Sequence, residues 1–159
     1  MIKDKIRELE SLSSYLNHEE KKIIIKAINF SDLAHKDQTR HSGDPFITHP
    51  IEVAKILTSI NLDASAIAAG LLHDTIEDTI VSINEITETF GSQISELVQG
   101  LTKISKFALK MNKPKLGENY RKLILASSKD LRVILIKLAD RLHNMRTIKF
   151  IKDENKKID

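Results

Sequence analysis

Apolar residues return every three or four positions along most of this 159-residue chain, the spacing of one buried face of an α-helix. Ile2, Ile6, Leu9 and Leu12 or Ser13 trace a first face of this kind. A second runs from about Glu19 to Lys36 through Ile24, Ala27, Ile28 and Ala34. Ile51, Ala54, Lys55 and Leu57 mark a third, and AIAAGLLHDTIED (66–78) reads as a single helix capped by Asp63. Ser92 opens another over Ile94, Leu97, Val98 and Leu101, and two more segments span roughly 118–128 and 131–147. By composition alone VILIKLA (133–139) could be a buried strand. It continues without a breaker into DRLHNMR, and no other segment offers a strand to pair with it, so the spacing predicts helix. The expected fold is all-α, a bundle of seven or eight helices.

Punctuation falls where such a bundle needs it. HSGDPFITHP (41–50) carries Gly43, Pro45 and Pro50 and reads as a loop that leads into a helix, with Pro50 at the first helical position. Ser82 and Glu85 have the spacing of a capping box, and Gly91 can end the helix they begin. KMNKPKLG (110–117) reads as a surface loop. Aromatic residues are only 4% of the chain and Trp is absent, so the core must be aliphatic. With 5 Gly and 3 Pro the chain is poor in the turns of a β-sandwich. It has 0 Cys, which excludes disulfides, zinc ribbons and thiol catalysis and fits a reducing cytoplasm. The charged N-terminus, MIKDKIRELE, lacks the apolar centre of a secretory signal, and no apolar stretch approaches the ~20 residues of a membrane span.

Charge is unevenly spread. Residues 1–100 carry a net −7 and residues 101–159 a net +10. Solvated helix faces of opposite sign would account for this. So would a cleft where acidic residues hold a cation and basic residues attract a polyanion. Nucleic acid is the weaker reading of the basic half, because no aromatic stacking series and no nucleic-acid motif accompany it.

The chemistry concentrates in His73-Asp74-Thr75-Ile76-Glu77-Asp78. Four ionisable groups follow the apolar run AIAAGLL, where burial is expensive unless a counter-charge compensates it. On one continuous helix His73 and Glu77 would share a face, as would Asp74 and Asp78. A solvated acidic helix end is the bland alternative. Two distant segments weigh against it. His49 precedes Pro50 at a helix start, and Asp140 lies within the strongly apolar LRVILIKLADRLHNM, where a salt bridge to Lys137 or Arg141 is the plain reading. Together His49, His73, Asp74 and Asp140 supply two imidazoles and two carboxylates, a donor set suited to a catalytic first-row metal.

TRHSGDPFITHP (39–50), AAGLLHDTIEDT (68–79), GLTKIS (100–105), ENYRKL (118–123) and IKLADRLHNMRT (136–147) resemble the successive motifs of the hydrolase domain of RelA/SpoT alarmone enzymes, a branch of the HD phosphohydrolases. The resemblance runs in order from about Ile28 to Thr147. It implies an HD-domain helical bundle that removes the 3′-pyrophosphate of guanosine tetra- or pentaphosphate, giving GDP or GTP and pyrophosphate. It makes His49, His73, Asp74 and Asp140 the ligands of a metal, usually manganese, and Glu77 and Asp78 the pair that activates the attacking water. It places Arg40, Ser42, Asn144 and Thr147 at the nucleotide. Asp140, Asn144 and Thr147, spaced i, i+4 and i+7, fall on one helix face, as this implies.

His41 stands where the family commonly has Lys, and a neutral imidazole there would weaken phosphate or base contacts. Residues 1–159 read as a single hydrolase domain that stops before its usual closing helices, with no synthetase or regulatory domain. Ile148, Phe150 and Ile151 would then lack part of their cover, leaving residues 148–159 poorly anchored and the isolated protein marginally stable or homo-oligomeric. Two other functions stay open on these residues. One is a catalytically weak module that binds the nucleotide or a partner protein, and the other is an HD phosphohydrolase acting on a different nucleotide.

Overall fold

A computed structural model describes residues 2–109 and 130–148. Eight helical segments lie among them: α1 (Ile2–Leu12), α2 (His18–Ala34), α3 (Thr48–Ser59), α4 (Ala64–Leu72), α5 (Thr75–Asp78), α6 (Ile83–Phe90), α7 (Ser92–Leu109) and α8 (Leu131–Thr147). No strand occurs among the described residues beyond an isolated bridge between Thr39 and Pro45. The all-α expectation holds, and VILIKLA is helical within α8. The loop read at 110–117, the helix at 118–128, and Phe150 and Ile151 lie outside the described residues. None of the described helices is long and apolar enough to cross a membrane.

The bundle is organised around α4. Seven of its nine residues in ASAIAAGLL are Ala, Gly, Ile or Leu from Ala66 on, and all seven are buried. A helix that is apolar on every side must sit inside, and α4 packs against α2, α3, α7 and α8. Small residues let those neighbours come close. A Cβ on Gly70 would stand 2.5 Å from Leu57 Cδ1 of α3, and one on Gly100 of α7 would stand 3.1 Å from Val133 Cγ2 of α8. Ile24, Ala27, Ile28, Ile51, Ala54, Leu57, Ile94, Leu97, Val98 and Leu101 all point into this core, as their spacing predicts. On α1 the buried positions are Leu9 and, just past the helix, Ser13, whereas Leu12 is exposed.

Side-chain caps mark the starts of α2, α4 and α6. Asn17 and Glu20 form a full capping box at α2, with Glu20 N–H donating to Asn17 Oδ1 at 3.0 Å and Asn17 N–H to Glu20 Oε2 at 2.8 Å. Asp63 caps α4, and Ser82 Oγ caps α6 by accepting from Glu85 N–H at 3.2 Å. Gly91 ends α6 at φ +84°, a left-handed conformation that suits glycine.

Two expectations shift, and both shifts matter for the site. Helix α3 begins at Thr48, so His49 lies inside its first turn rather than before it, and Pro50 is the third helical residue rather than the first. Pro50 is still tolerated, because first-turn N–H groups have no partner within the helix. The segment read as one helix over 66–78 is two, with α4 ending at Leu72, the single-turn α5 starting at Thr75, and His73 and Asp74 at the joint.

Candidate active site

Three pieces of backbone deliver the ionisable groups to one place. The first is the loop before α3. Arg40 N–H donates to Asp44 O and Gly43 N–H to Arg40 O, both at 2.9 Å, and Phe46 N–H donates to Gln38 O at 3.0 Å. Gly43 takes φ +87° at the tip of this tight loop. The loop aims Arg40 inward and feeds His49 into the first turn of α3, where it is buried. The second piece is the α4–α5 joint with His73 and Asp74. The third is α8, whose Asp140 is buried.

His49, His73 and Asp140 each present a ligand-type atom, and the three atoms lie within 4.8 Å of one another. His49 Nε2 is 3.3 Å from His73 Nε2 and 3.3 Å from Asp140 Oδ1. Asp74 joins them, its Oδ2 lying 2.9 Å from His73 Nε2 and 3.6 Å from His49 Nε2. Two atoms each bonded to one first-row ion at roughly 2.0–2.2 Å cannot be more than about 4.4 Å apart; His49 Nε2, His73 Nε2 and Asp140 Oδ1, with His73 Nε2 3.8 Å from Asp140 Oδ1, meet that limit, and Asp74 meets it with each imidazole. The His73 tautomer fits as well. Its Nδ1 lies 2.7 Å from Gly70 O, and a carbonyl only accepts, so the proton is on Nδ1 and Nε2 is left to face the cluster. The donor set therefore fits a divalent metal.

The charges agree with that fit. Burial alone would push the His73 imidazole down, but Asp74 and Asp140 outweigh it and hold it up at about 9. Burial would raise the Asp140 carboxyl, yet His49, His73 and Lys137 drive it far below the ordinary carboxylate range. The pocket thus favours a cation at His73, whereas burial holds the His49 imidazole down and keeps it neutral, the form in which a ring nitrogen can ligate. Lys137 Nζ also contacts Asp140 Oδ2 at 3.0 Å, so the plain salt bridge exists beside the cluster rather than instead of it.

Glu77 and Asp78 stand on α5, one turn beyond the joint. Burial raises both carboxyls, with Asp74 adding to the rise at each. Gln38 Nε2 donates to Asp78 O at 3.0 Å and ties α5 to the loop.

Arg40, Asn144 and Asp140 form a chain. Arg40 donates to Asn144 Oδ1 at 2.9 Å, and Asn144 Nδ2 donates to Asp140 Oδ1 at 2.7 Å. Beside it opens a pocket of about 230 Å³ whose lining includes Arg40, Ser42 and Thr147. Ser42 is exposed and donates to Asp44 Oδ2 at 2.8 Å. Thr147 Oγ1 lies 3.1 Å from both His143 O and Asn144 O. His41 is exposed.

The same pocket is lined by residues that sequence reasoning did not single out, Lys5, Glu52 and His143 among them. His143 Nδ1 is 2.7 Å from His49 Nδ1. Its position three residues after Asp140 was the available signal, since that spacing puts both on one helix face. Lys5 and Glu52 pair with each other across α1 and α3, a contact that no local pattern announces.

The chain belongs to the HD-domain family, whose model matches residues 27–159. Its relatives place it beside alarmone enzymes. It is 47% identical over 151 residues to the GTP pyrophosphokinase of Myxococcus xanthus, covering 93% of this chain and 20% of that protein. It is 45% identical over 135 residues to the probable guanosine-3′,5′-bis(diphosphate) 3′-pyrophosphohydrolase of Synechocystis sp., covering 85% and 18%. It is 42% identical over 146 residues to the bifunctional (p)ppGpp synthase/hydrolase SpoT of Escherichia coli, covering 92% and 21%. The chain spans about a fifth of the length of these curated relatives. Among solved structures it is similar to a metazoan ortholog of SpoT described as hydrolysing ppGpp and acting in starvation responses. That likeness has a TM-score of 0.64 at 27% identity, over 84% of this chain and 74% of the other.

Proposed function

We propose that this chain is a metal-dependent hydrolase that removes the 3′-pyrophosphate of guanosine tetra- or pentaphosphate, with manganese(II) held by His49, His73, Asp74 and Asp140. The observation that carries the reading is the buried cluster of ligand-type atoms from His49, His73 and Asp140, set beside a pocket lined by Arg40, Ser42 and Thr147. The relatives named for ppGpp hydrolysis support the choice of substrate.

In this reading the oxygen of water joins the phosphorus carried on the ribose 3′-oxygen. The 3′-oxygen leaves with a proton, and GDP or GTP and pyrophosphate account for every atom. A metal ion held by these four side chains would supply Lewis-acid polarisation and would lower the pKa of a water toward about 7. Glu77 or Asp78 takes the proton of the attacking water, and burial has moved both carboxyls toward the range where a base is effective. Arg40 offsets phosphate charge at the pocket wall while its bond to Asn144 keeps that side chain on Asp140. Ser42 and Thr147 offer hydroxyl groups to the nucleotide from the loop and from the end of α8.

The test is an assay with guanosine tetraphosphate and added manganese in which nucleotide and phosphate products are resolved. GDP and pyrophosphate in equal amounts are expected. Release of single phosphates, or turnover of other nucleotides with guanosine tetraphosphate untouched, would contradict the proposal.

A further inference from the structure

We propose that His143 is a positioning residue that selects the tautomer of His49 and thereby makes its Nε2 available to the metal. The inference rests on the metal-site reading above and extends it to a residue outside the ligand set.

Two ring nitrogens 2.7 Å apart, as His49 Nδ1 and His143 Nδ1 are, share a single proton: one ring donates and the other accepts. The direction is fixed by what the other His49 nitrogen does. His49 Nε2 faces His73 Nε2 and Asp140 Oδ1, each at 3.3 Å, and is the nitrogen turned toward the cluster. An imidazole that ligates through Nε2 carries its proton on Nδ1. His49 Nδ1–H therefore donates, and His143 Nδ1 accepts with its own proton on Nε2. The opposite arrangement would put a proton on His49 Nε2 and close it to a metal.

The two imidazoles of the cluster are thus held from behind in different ways. His73 is fixed by the backbone carbonyl of Gly70 at 2.7 Å, which can only accept. His49 depends on a side chain. That side chain comes from α8, one turn beyond Asp140, so the helix that brings the buried carboxylate also orients the imidazole from α3. The two rings lie with centroids 4.9 Å apart and planes inclined by 37°. His143 also lines the pocket with Arg40 and Thr147, which places the supporting ring between the cluster and the nucleotide space.

The experiment is a manganese titration of the full chain followed by the electron paramagnetic resonance signal of free ion, with far-UV circular dichroism on every variant. His143→Leu keeps bulk but cannot accept a hydrogen bond. His143→Gln carries its amide one atom further out, away from the Nδ1 position. Both should weaken manganese binding about 10–100-fold, the usual cost of losing such a partner. His143→Asn puts an amide oxygen near the Nδ1 position and should bind within about threefold of wild type. Equal affinity in H143L and wild type would overturn the inference, and so would a loss in H143N as large as in H143Q. A wild-type chain that binds no manganese would overturn the metal-site reading and this inference together, whereas the other two outcomes leave that reading standing.

Discussion

The proposed mechanism gives Glu77 and Asp78 a different task from the ligand-type residues a few positions before them, and that difference can be measured. Glu77→Gln and Asp78→Asn should each lower turnover by about 10²–10⁴-fold, the range for losing a general base, while metal content stays near that of wild type. Loss of the metal in either variant would make that residue a ligand. The sign of the pH dependence follows from burial. A base acts deprotonated, and both carboxyls are raised by burial with Asp74 adding to it, so activity at saturating manganese should start to fall on acidification at a higher pH than an exposed carboxylate would give. A rate that holds flat down to the ordinary carboxylate range would contradict the assignment. That His73, Asp74 and Asp140 are special was legible in the sequence because ionisable groups next to apolar runs are expensive to bury without a counter-charge, whereas His49 stood out only by its place before Pro50 and by the resemblance. Lys5 and Glu52 were not, because they reach the pocket only through the packing of α1 on α3.

Among the elements, α4 and its joint with α5 set the geometry of the site. Helical spacing correctly marks the apolar run as buried helix but cannot show that it stops at Leu72, since no Gly or Pro marks the break. Thr75 Oγ1 donates to Leu72 O at 2.7 Å, so a side chain satisfies a backbone carbonyl at the end of the helix. The break leaves His73 and Asp74 with Nε2 and Oδ2 2.9 Å apart, a closeness that face-sharing on a continuous helix did not suggest. Gly70 links this joint to the core. A Cβ there would meet Leu57 Cδ1 at 2.5 Å, so the fully buried Leu57 side chain would have to shift within a close-packed core. Gly70→Ala should therefore destabilise the fold by about 1–3 kcal/mol despite the better helix propensity of alanine. A chemical-denaturation midpoint equal to or above that of wild type would show that α3 and α4 can move apart at no cost.

In the molecule as a whole, α8 presents two faces of different character. On α8 one face carries Asp140, His143 and Asn144 toward the site, while Leu131, Leu138 and Met145 are more than 60% exposed on another. Ile148, expected to lack cover, is 38% exposed. Because α3, the α4–α5 joint and α8 all contribute ligand-type atoms, a metal ion at the cluster would bind the folded chain and not the unfolded one. At a free concentration 100 times its dissociation constant it should add about 2.7 kcal/mol of stability. For a chain of this size that is a rise of roughly 5–11 °C in melting temperature, reversed by a chelator. No shift on adding manganese would mean that these atoms do not converge on an ion in solution. Metal and chemistry meet in one titration, in which manganese is returned stepwise to chelator-treated protein while cleavage of guanosine tetraphosphate to GDP and pyrophosphate is followed. Turnover should rise from background and saturate at one manganese per chain. Turnover that persists in the chelator, or a chain saturated with manganese that releases no pyrophosphate, would contradict the proposed metal-dependent hydrolysis.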